Sequence, residues 1–156
     1  MPMFDSFANL WRDRRGVSAI EFALFLPIFL MLLAGMIDFG RLLYQADAID
    51  KGLRAGALFA AHSDKPLTAA AETTARNLVR TGNLDGTPPY LVSGWAIVGA
   101  DLQIATTTAV VSGQTITVYR LSATVPFDPL LPGLMSVLGM SGNAIRLYHE
   151  QAYIGT

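Results

Sequence analysis

The chain of 156 residues contains no cysteine, two histidines and a net charge of only −1. Without cysteine there is no disulfide and no thiolate ligand for a metal ion. His62 and His149 have no ligand-like spacing around them and are expected on the surface or in loops, so we expect no metal site and no cofactor. The near-zero net charge gives no electrostatic reason to bind nucleic acid, because such binding depends on phosphate contacts from Lys and Arg.

Sequence motifs of catalysis are also missing. No glycine-rich phosphate loop follows a strand-like segment, and no G-x-S-x-G elbow occurs among the serines. Asp38, Asp47 and Asp50 fall along one helical segment, where we interpret them as solvated charges. We therefore expect no enzymatic activity.

What the sequence does contain is a long apolar run, from Gly16 to Ile37. About 20 apolar residues are enough to cross a bilayer as a helix. The run holds a single carboxylate, Glu21, near its start. A carboxylate in such a segment is costly, so we expect it to have a partner. Three arginines stand directly before the run: Arg12, Arg14 and Arg15.

Two interpretations of this run compete. A secretory signal peptide has an apolar core of about 7–15 residues and a small-x-small cleavage site. The run in this chain is longer, and Ala34-Gly35-Met36 fits such a site poorly, so we favour a retained transmembrane helix. Because Lys and Arg stay on the cytoplasmic side, the N-terminus should be cytoplasmic and the chain beyond about Arg41 extracytoplasmic.

The segment before the run, Met1 to Arg15, has Phe4, Phe7, Leu10 and Trp11 at helical spacing. It is either a helix on the membrane surface or a loose tail, and the residues do not decide between them.

The helical pattern continues beyond the apolar run. From Asp38 to Ala61, apolar residues recur at spacings of three and four, which predicts an amphipathic extension of the same helix, about 45 residues in all. The predicted stripe consists of Phe39, Leu42, Leu43, Ala46, Ile49, Leu53 and Ala57. Asp47–Lys51 and Asp50–Arg54 have the spacing of helical ion pairs. Gly52-x-x-x-Gly56 is either a close-packing seam or a chance spacing in a segment rich in Ala and Gly.

The remaining residues predict a small α+β fold. A break at 62–66 precedes a second helix from Pro66 to about Thr81, with Gly82 as its stop. Leu102–Val111 and Thr115–Val125 predict a hairpin, in which a bulge or partial cover of both faces would explain the mixed pattern of the second strand. Gly133 to Gly139 suggests a turn of helix, and Ala144–Ile154 a final strand. We expect an antiparallel sheet packed on the long helix.

These observations divide the chain into four parts. They are a basic N-terminal segment at 1–16, a transmembrane segment at 17–37, the amphipathic continuation of the helix at 38–61, and an extracytoplasmic α+β domain at 62–156.

The segment from Arg14 to Ala61 resembles the TadE-like family, minor pilin-like proteins of the tight-adherence (Tad) pilus, a branch of the type IV pilus machinery. The resemblance rests on a basic leader ending in Gly16, the pair Glu21-Phe22 after four intervening residues, and Pro27 in mid-span. Ile37-Asp38-Phe39-Gly40-Arg41 after the span, and an Ala- and Arg-rich helix to Ala61, complete it. It covers about a third of the chain, and the later residues agree only in general shape.

The resemblance implies that prepilin peptidase, a membrane aspartic protease, cuts after Gly16. Val17 would become the N-terminus and Glu21 the fifth mature residue, with Glu21 and Phe22 serving assembly. The implied partners are the bilayer, prepilin peptidase, other pilin-like subunits and inner-membrane pilus assembly proteins. Two alternatives stay open: a major pilin-like filament subunit, and a plain single-span anchored protein in which Glu21 only reaches the headgroups.

Overall fold

The computed structural model describes residues 15–137, 139 and 143–155. Its longest element is helix α1, Arg15–Ala61, which has 47 residues and contains Pro27. At about 1.5 Å per residue, α1 is about 70 Å long. The structure thus confirms that the apolar run and the amphipathic segment form one continuous helix.

Helix α2, Ala69–Thr81, packs against the distal half of α1. Its start differs from the predicted one at Pro66, because the Thr68 hydroxyl caps the helix by accepting a hydrogen bond from the Ala71 amide at 3.2 Å. Its end is as predicted, since Gly82 takes the left-handed conformation with φ 74°.

The contact between these two helices depends on two glycines of α1. A Cβ atom at Gly52 would lie 2.6 Å from the Val79 carbonyl oxygen. One at Gly56 would lie 2.6 Å from Val79 Cγ2 and 2.9 Å from the Ala75 carbonyl oxygen. Both distances are too short for a methyl group, so the Gly52–Gly56 spacing is confirmed as a close-packing seam.

A three-stranded antiparallel sheet covers another face of α1. Its strands are β1 (Asp101–Val111), β2 (Gln114–Pro126) and β3 (Ala144–Ala152), in the order β1-β2-β3. The hairpin turn is two residues, Ser112 and Gly113, both with positive φ, which suits the twist of the strands. The register runs without a bulge, so of the two predicted explanations, partial cover of the second face is the correct one: Ile116 and Val118 are half-buried.

The core lies between α1, α2 and the sheet. Its largest fully buried apolar residues come from α1, α2 and β2, and they are Ile49, Leu53, Val79, Tyr119, Leu121 and Val125. A short 3-10 helix, Ser93–Ala96, adds Trp95, which is 4% exposed and whose place in the core the sequence did not predict. Burial raises the pKa of the Tyr119 hydroxyl, because the phenolate would be poorly solvated there.

The predicted apolar stripe on α1 is wrong at two positions. Phe39 is 62% exposed and Leu43 is 55% exposed. The buried face at this level instead carries Asp38 and Gln45, which are polar. The spacing of apolar residues therefore predicted the wrong buried face at this level of the helix.

Two contacts with α1 show which end of the sheet lies nearer to the apolar run. The Ile154 amide donates to the Ala61 carbonyl at 3.1 Å, so the end of β3 lies beside the end of α1. The segment after β2 reaches back to Arg41, whose Nη2 donates to the Asp128 carbonyl at 3.1 Å. A short helix, α3 (Pro132–Val137), follows that segment. The Ser112–Gly113 turn therefore lies at the end of the sheet far from the apolar run.

A candidate membrane and assembly segment

The first half of α1 exposes apolar side chains all around the helix. Within Val17–Ala61, the most apolar window of 18 residues has a mean hydropathy of 2.4, and none of it is buried. The large apolar residues from Val17 to Leu33 are each 36–70% exposed. Soluble monomers rarely expose so extended an apolar surface, which marks an interaction site. The helix is long and apolar enough to cross a membrane.

Glu21 interrupts this apolar surface one helical turn after Val17. Its side chain is exposed between Ile20 and Phe22, which are 64% and 66% exposed. Glu21 forms no ion pair with any residue in the part of the chain that the structure describes. If this turn lies in a membrane, its charge needs a partner outside the described residues, such as a lipid headgroup or a group from another molecule.

The predicted cleavage position lies in the first turn of α1. Arg15 and Gly16 are the first two residues of the helix, followed by Val17, which is 52% exposed. Arg12 and Arg14, to which the sequence pattern assigns a role in membrane topology, lie outside the described residues. The structure therefore brings Gly16, Val17, Glu21 and Phe22 together within about two turns of one helix.

Asp38, at the end of the apolar run, is not the solvated charge predicted from the sequence. It is fully buried, with 0% of its surface exposed. Its Oδ1 accepts a hydrogen bond from the Leu130 amide at 2.7 Å, and its Oδ2 accepts one from the Leu131 amide at 3.4 Å. The prediction was wrong because a segment 92 residues away in sequence returns to cover this turn of α1.

One feature of the sequence separates Asp38 from the other two aspartates of this helix. Asp47 and Asp50 each have a basic residue four positions later, and both predicted pairs form, with N–O distances of 2.7 Å. Asp38 has Leu42 at that position. Arg41, three positions after Asp38, also has the spacing of a helical partner, but it donates to the Asp128 carbonyl, and the Asp38 carboxylate accepts from the Leu130 and Leu131 amides instead.

Arg41 adds a second contact to the same returning segment, through its hydrogen bond to the Asp128 carbonyl. We call the set formed by Asp38, Arg41 and residues 128–131 the clasp. It joins the end of the apolar run to the end of β2, so the position of the sheet is fixed relative to the candidate membrane span.

The ion pairs on the distal half of α1 are surface features. The side chains of Lys51 and Asp47 are 73% and 58% exposed. The hydrogen bond to Asp47 raises the pKa of the Lys51 amine. Exposed pairs of this kind contribute about 0–1 kcal/mol, so we assign Asp47 and Lys51 no functional role.

Comparison with known proteins gives a match in the same helix that carries the exposed apolar surface. No curated protein and no solved structure gives a significant match to the chain. One family model does match, over a little more than a quarter of the chain, and it covers the exposed apolar helix, Glu21, Asp38 and Arg41 but none of the sheet. Residues 16–58 match the family described as TadE-like protein, which confirms the resemblance found in the sequence.

Proposed function

We propose that this protein is a minor pilin-like component of a Tad-type pilus assembly or secretion system, held in the inner membrane by the first half of α1. The observation that carries the proposal is the family match over residues 16–58. The exposed apolar surface of the same residues supports it, because a pilin-like subunit needs a helix that is stable in lipid before assembly. The proposed role is structural rather than enzymatic.

The proposal includes processing by prepilin peptidase between Gly16 and Val17. Three features support it: a basic leader before Gly16, a glycine that lets the backbone enter a narrow protease cleft, and Glu21-Phe22 at the fifth and sixth positions of the mature chain. Processing would create an α-amine on Val17, about one helical turn from Glu21.

The proposed topology has the N-terminus in the cytoplasm and the sheet in the periplasm. The arginines at 12, 14 and 15 support this orientation, since basic residues stay on the cytoplasmic side of a span. No second apolar run of about 18 residues follows to return the chain. Protease added to spheroplasts should therefore digest the C-terminal fold, and protection until the membrane is dissolved would show the opposite orientation.

Deletion of the gene, with quantification of the protein in purified filaments, tests the proposed function. We expect the deletion strain to lose surface pili and a plasmid copy to restore them, with only a few copies of the chain per filament. Many copies would instead indicate a major filament subunit. Normal piliation of the deletion strain would contradict both filament roles and leave only the plain membrane anchor.

A further inference from the structure

The depth of the clasp in the membrane follows from the length of the helix. Asp38 comes 21 residues after Val17, which corresponds to about 32 Å of helix. The hydrocarbon core of a bilayer is about 30 Å thick. If α1 spans the membrane from near Val17, as the proposed function requires, Asp38 lies at the boundary between hydrocarbon and headgroups on the far side.

The clasp brings a second segment of the chain to this same depth. The Leu130 amide lies 2.7 Å from Asp38 Oδ1, so Leu130 is beside Asp38 and not farther out in the solvent. The fold also covers the turn of α1 that precedes Asp38: Ala34 is half-buried, whereas Ala19 and Ala23, earlier in the same helix, are exposed. Part of the folded domain therefore reaches the last turn of the apolar run.

The returning segment has the chemistry of a membrane-surface element. Leu130 is 52% exposed and Leu131 is 42% exposed, next to each other. The sequence from Pro129 to Ile145 contains no charged residue. It is too short and too rich in Pro and Gly to cross a bilayer, but exposed leucines beside a bilayer surface gain by entering the headgroup region.

The backbone N–H groups of this segment do not need water as a hydrogen-bond partner. Unpaired N–H groups are costly in lipid, which is why irregular backbone is normally excluded from it. Pro129 and Pro132 have no N–H, and the N–H groups of the two leucines between them donate to Asp38. These four consecutive residues therefore leave no backbone donor unpaired.

We propose that Leu130 and Leu131 insert into the outer interface of the bilayer that α1 spans, as a second lipid contact of the folded domain. This inference rests on the membrane insertion included in the proposed function. Asp38 has a double role in it: its carboxylate satisfies the two leucine amides, and it fixes the insertion depth relative to α1. With two attachment points, the sheet is held at one orientation to the membrane before assembly.

Because the native chain lacks cysteine, spin labels can be placed one at a time by single substitutions. The test uses the full chain reconstituted in vesicles of phosphatidylethanolamine and phosphatidylglycerol, with a water-soluble nickel chelate on both sides of the membrane. The label is placed through Leu130→Cys, Leu131→Cys, or the control Val110→Cys, since Val110 is 73% exposed and lies beside the Ser112–Gly113 turn, at the end of the sheet far from the apolar run. Phe29→Cys, at a position 61% exposed in mid-run, reports insertion of α1.

The measured quantity is the ratio of oxygen to nickel-chelate accessibility, which rises with depth in the membrane. We expect a ratio at positions 130 and 131 several-fold above that at position 110 and below that at position 29. A ratio at both leucines equal to that at position 110, with position 29 in lipid, would overturn this inference alone. A water-like ratio at Phe29 would overturn the membrane insertion, and the proposed function with it.

Discussion

Replacing Glu21 with Gln should leave the chain inserted and cut after Gly16, yet abolish pilus assembly. Gln keeps the shape of the side chain and removes its charge. In the proposed pilus, the Glu21 carboxylate pairs with the freed α-amine of Val17 on an adjacent pilin-like subunit. The measurements are membrane fractionation, the mass of the processed chain, and counts of surface pili.

The physical reason is the cost of an unpaired carboxylate in lipid. At the centre of a span this cost is about 2.5–3.5 kcal/mol on insertion scales, and it is smaller near the edge, where Glu21 lies. An ammonium partner recovers part of it, and more as the site loses water. The pair would also fix the depth of one helix relative to the next, so its loss should affect register more than insertion.

A matched control is Asp47→Asn, which makes the same carboxylate-to-amide change on the same helix. Among the described residues Asp47 pairs only with the exposed Lys51, so we expect normal piliation of this variant. The alternative for Glu21 is that its carboxylate reaches the headgroups without a partner. A Glu21→Gln variant that is stable, cut and fully piliated would establish that alternative and remove the assembly role of the charge.

Gly52→Ala should destabilise the fold, although alanine normally favours a helix over glycine by about 1 kcal/mol. The added methyl group would lie 2.6 Å from the Val79 carbonyl oxygen and 3.1 Å from Leu91 Cδ1, so α1 and α2 would have to separate. Overpacking of this kind costs about 1–3 kcal/mol. Denaturant unfolding of the full chain in detergent measures the change, followed by the fluorescence of the buried Trp95 in a Trp11→Phe background.

Gly40→Ala is the matched control, because Gly40 lies in the same helix and a Cβ atom there meets nothing within 4 Å. We expect it to leave the unfolding free energy unchanged or to raise it by no more than about 1 kcal/mol. Equal behaviour of the two variants would mean that the Gly52 seam does not limit how closely the helices pack.

The elements that local pattern determines were predictable. The spacing of apolar residues predicted the long helix, alternation and turn residues predicted the hairpin, and Gly82 predicted the end of α2. In each case the information lies within a short stretch of sequence, such as Ser112-Gly113, where Gly113 readily adopts the positive φ that the turn requires.

The features that the sequence did not predict depend on contacts between distant segments. Asp38 is buried by residues 92 and 93 positions away, and Trp95 lies in a short 3-10 helix whose sequence shows no helical periodicity. Phe39 and Leu43 are the converse case, because their spacing predicted burial and both are exposed. Apolar spacing identifies a helix, but the face that is buried depends on where the rest of the chain packs.

The proposed roles of Gly16, Val17, Glu21 and Phe22 come from the family resemblance, and the structure adds the environment of three of them. It places Val17, Glu21 and Phe22 on an exposed helical surface with no partner for Glu21 among the described residues. A single chain cannot contain an intermolecular pair. The exposed Glu21 carboxylate is therefore accessible to the partner that the proposed pilus assigns to it.

Processing after Gly16 is the central claim, since it separates a pilin-like subunit from a plain membrane anchor. Its most direct test is mass spectrometry of the N-terminal peptide of the protein extracted from membranes of cells with active prepilin peptidase. We predict a mature chain that begins at Val17, and a Gly16→Leu variant that keeps residues 1–16. A native chain that still carries those residues in such cells would contradict the claim.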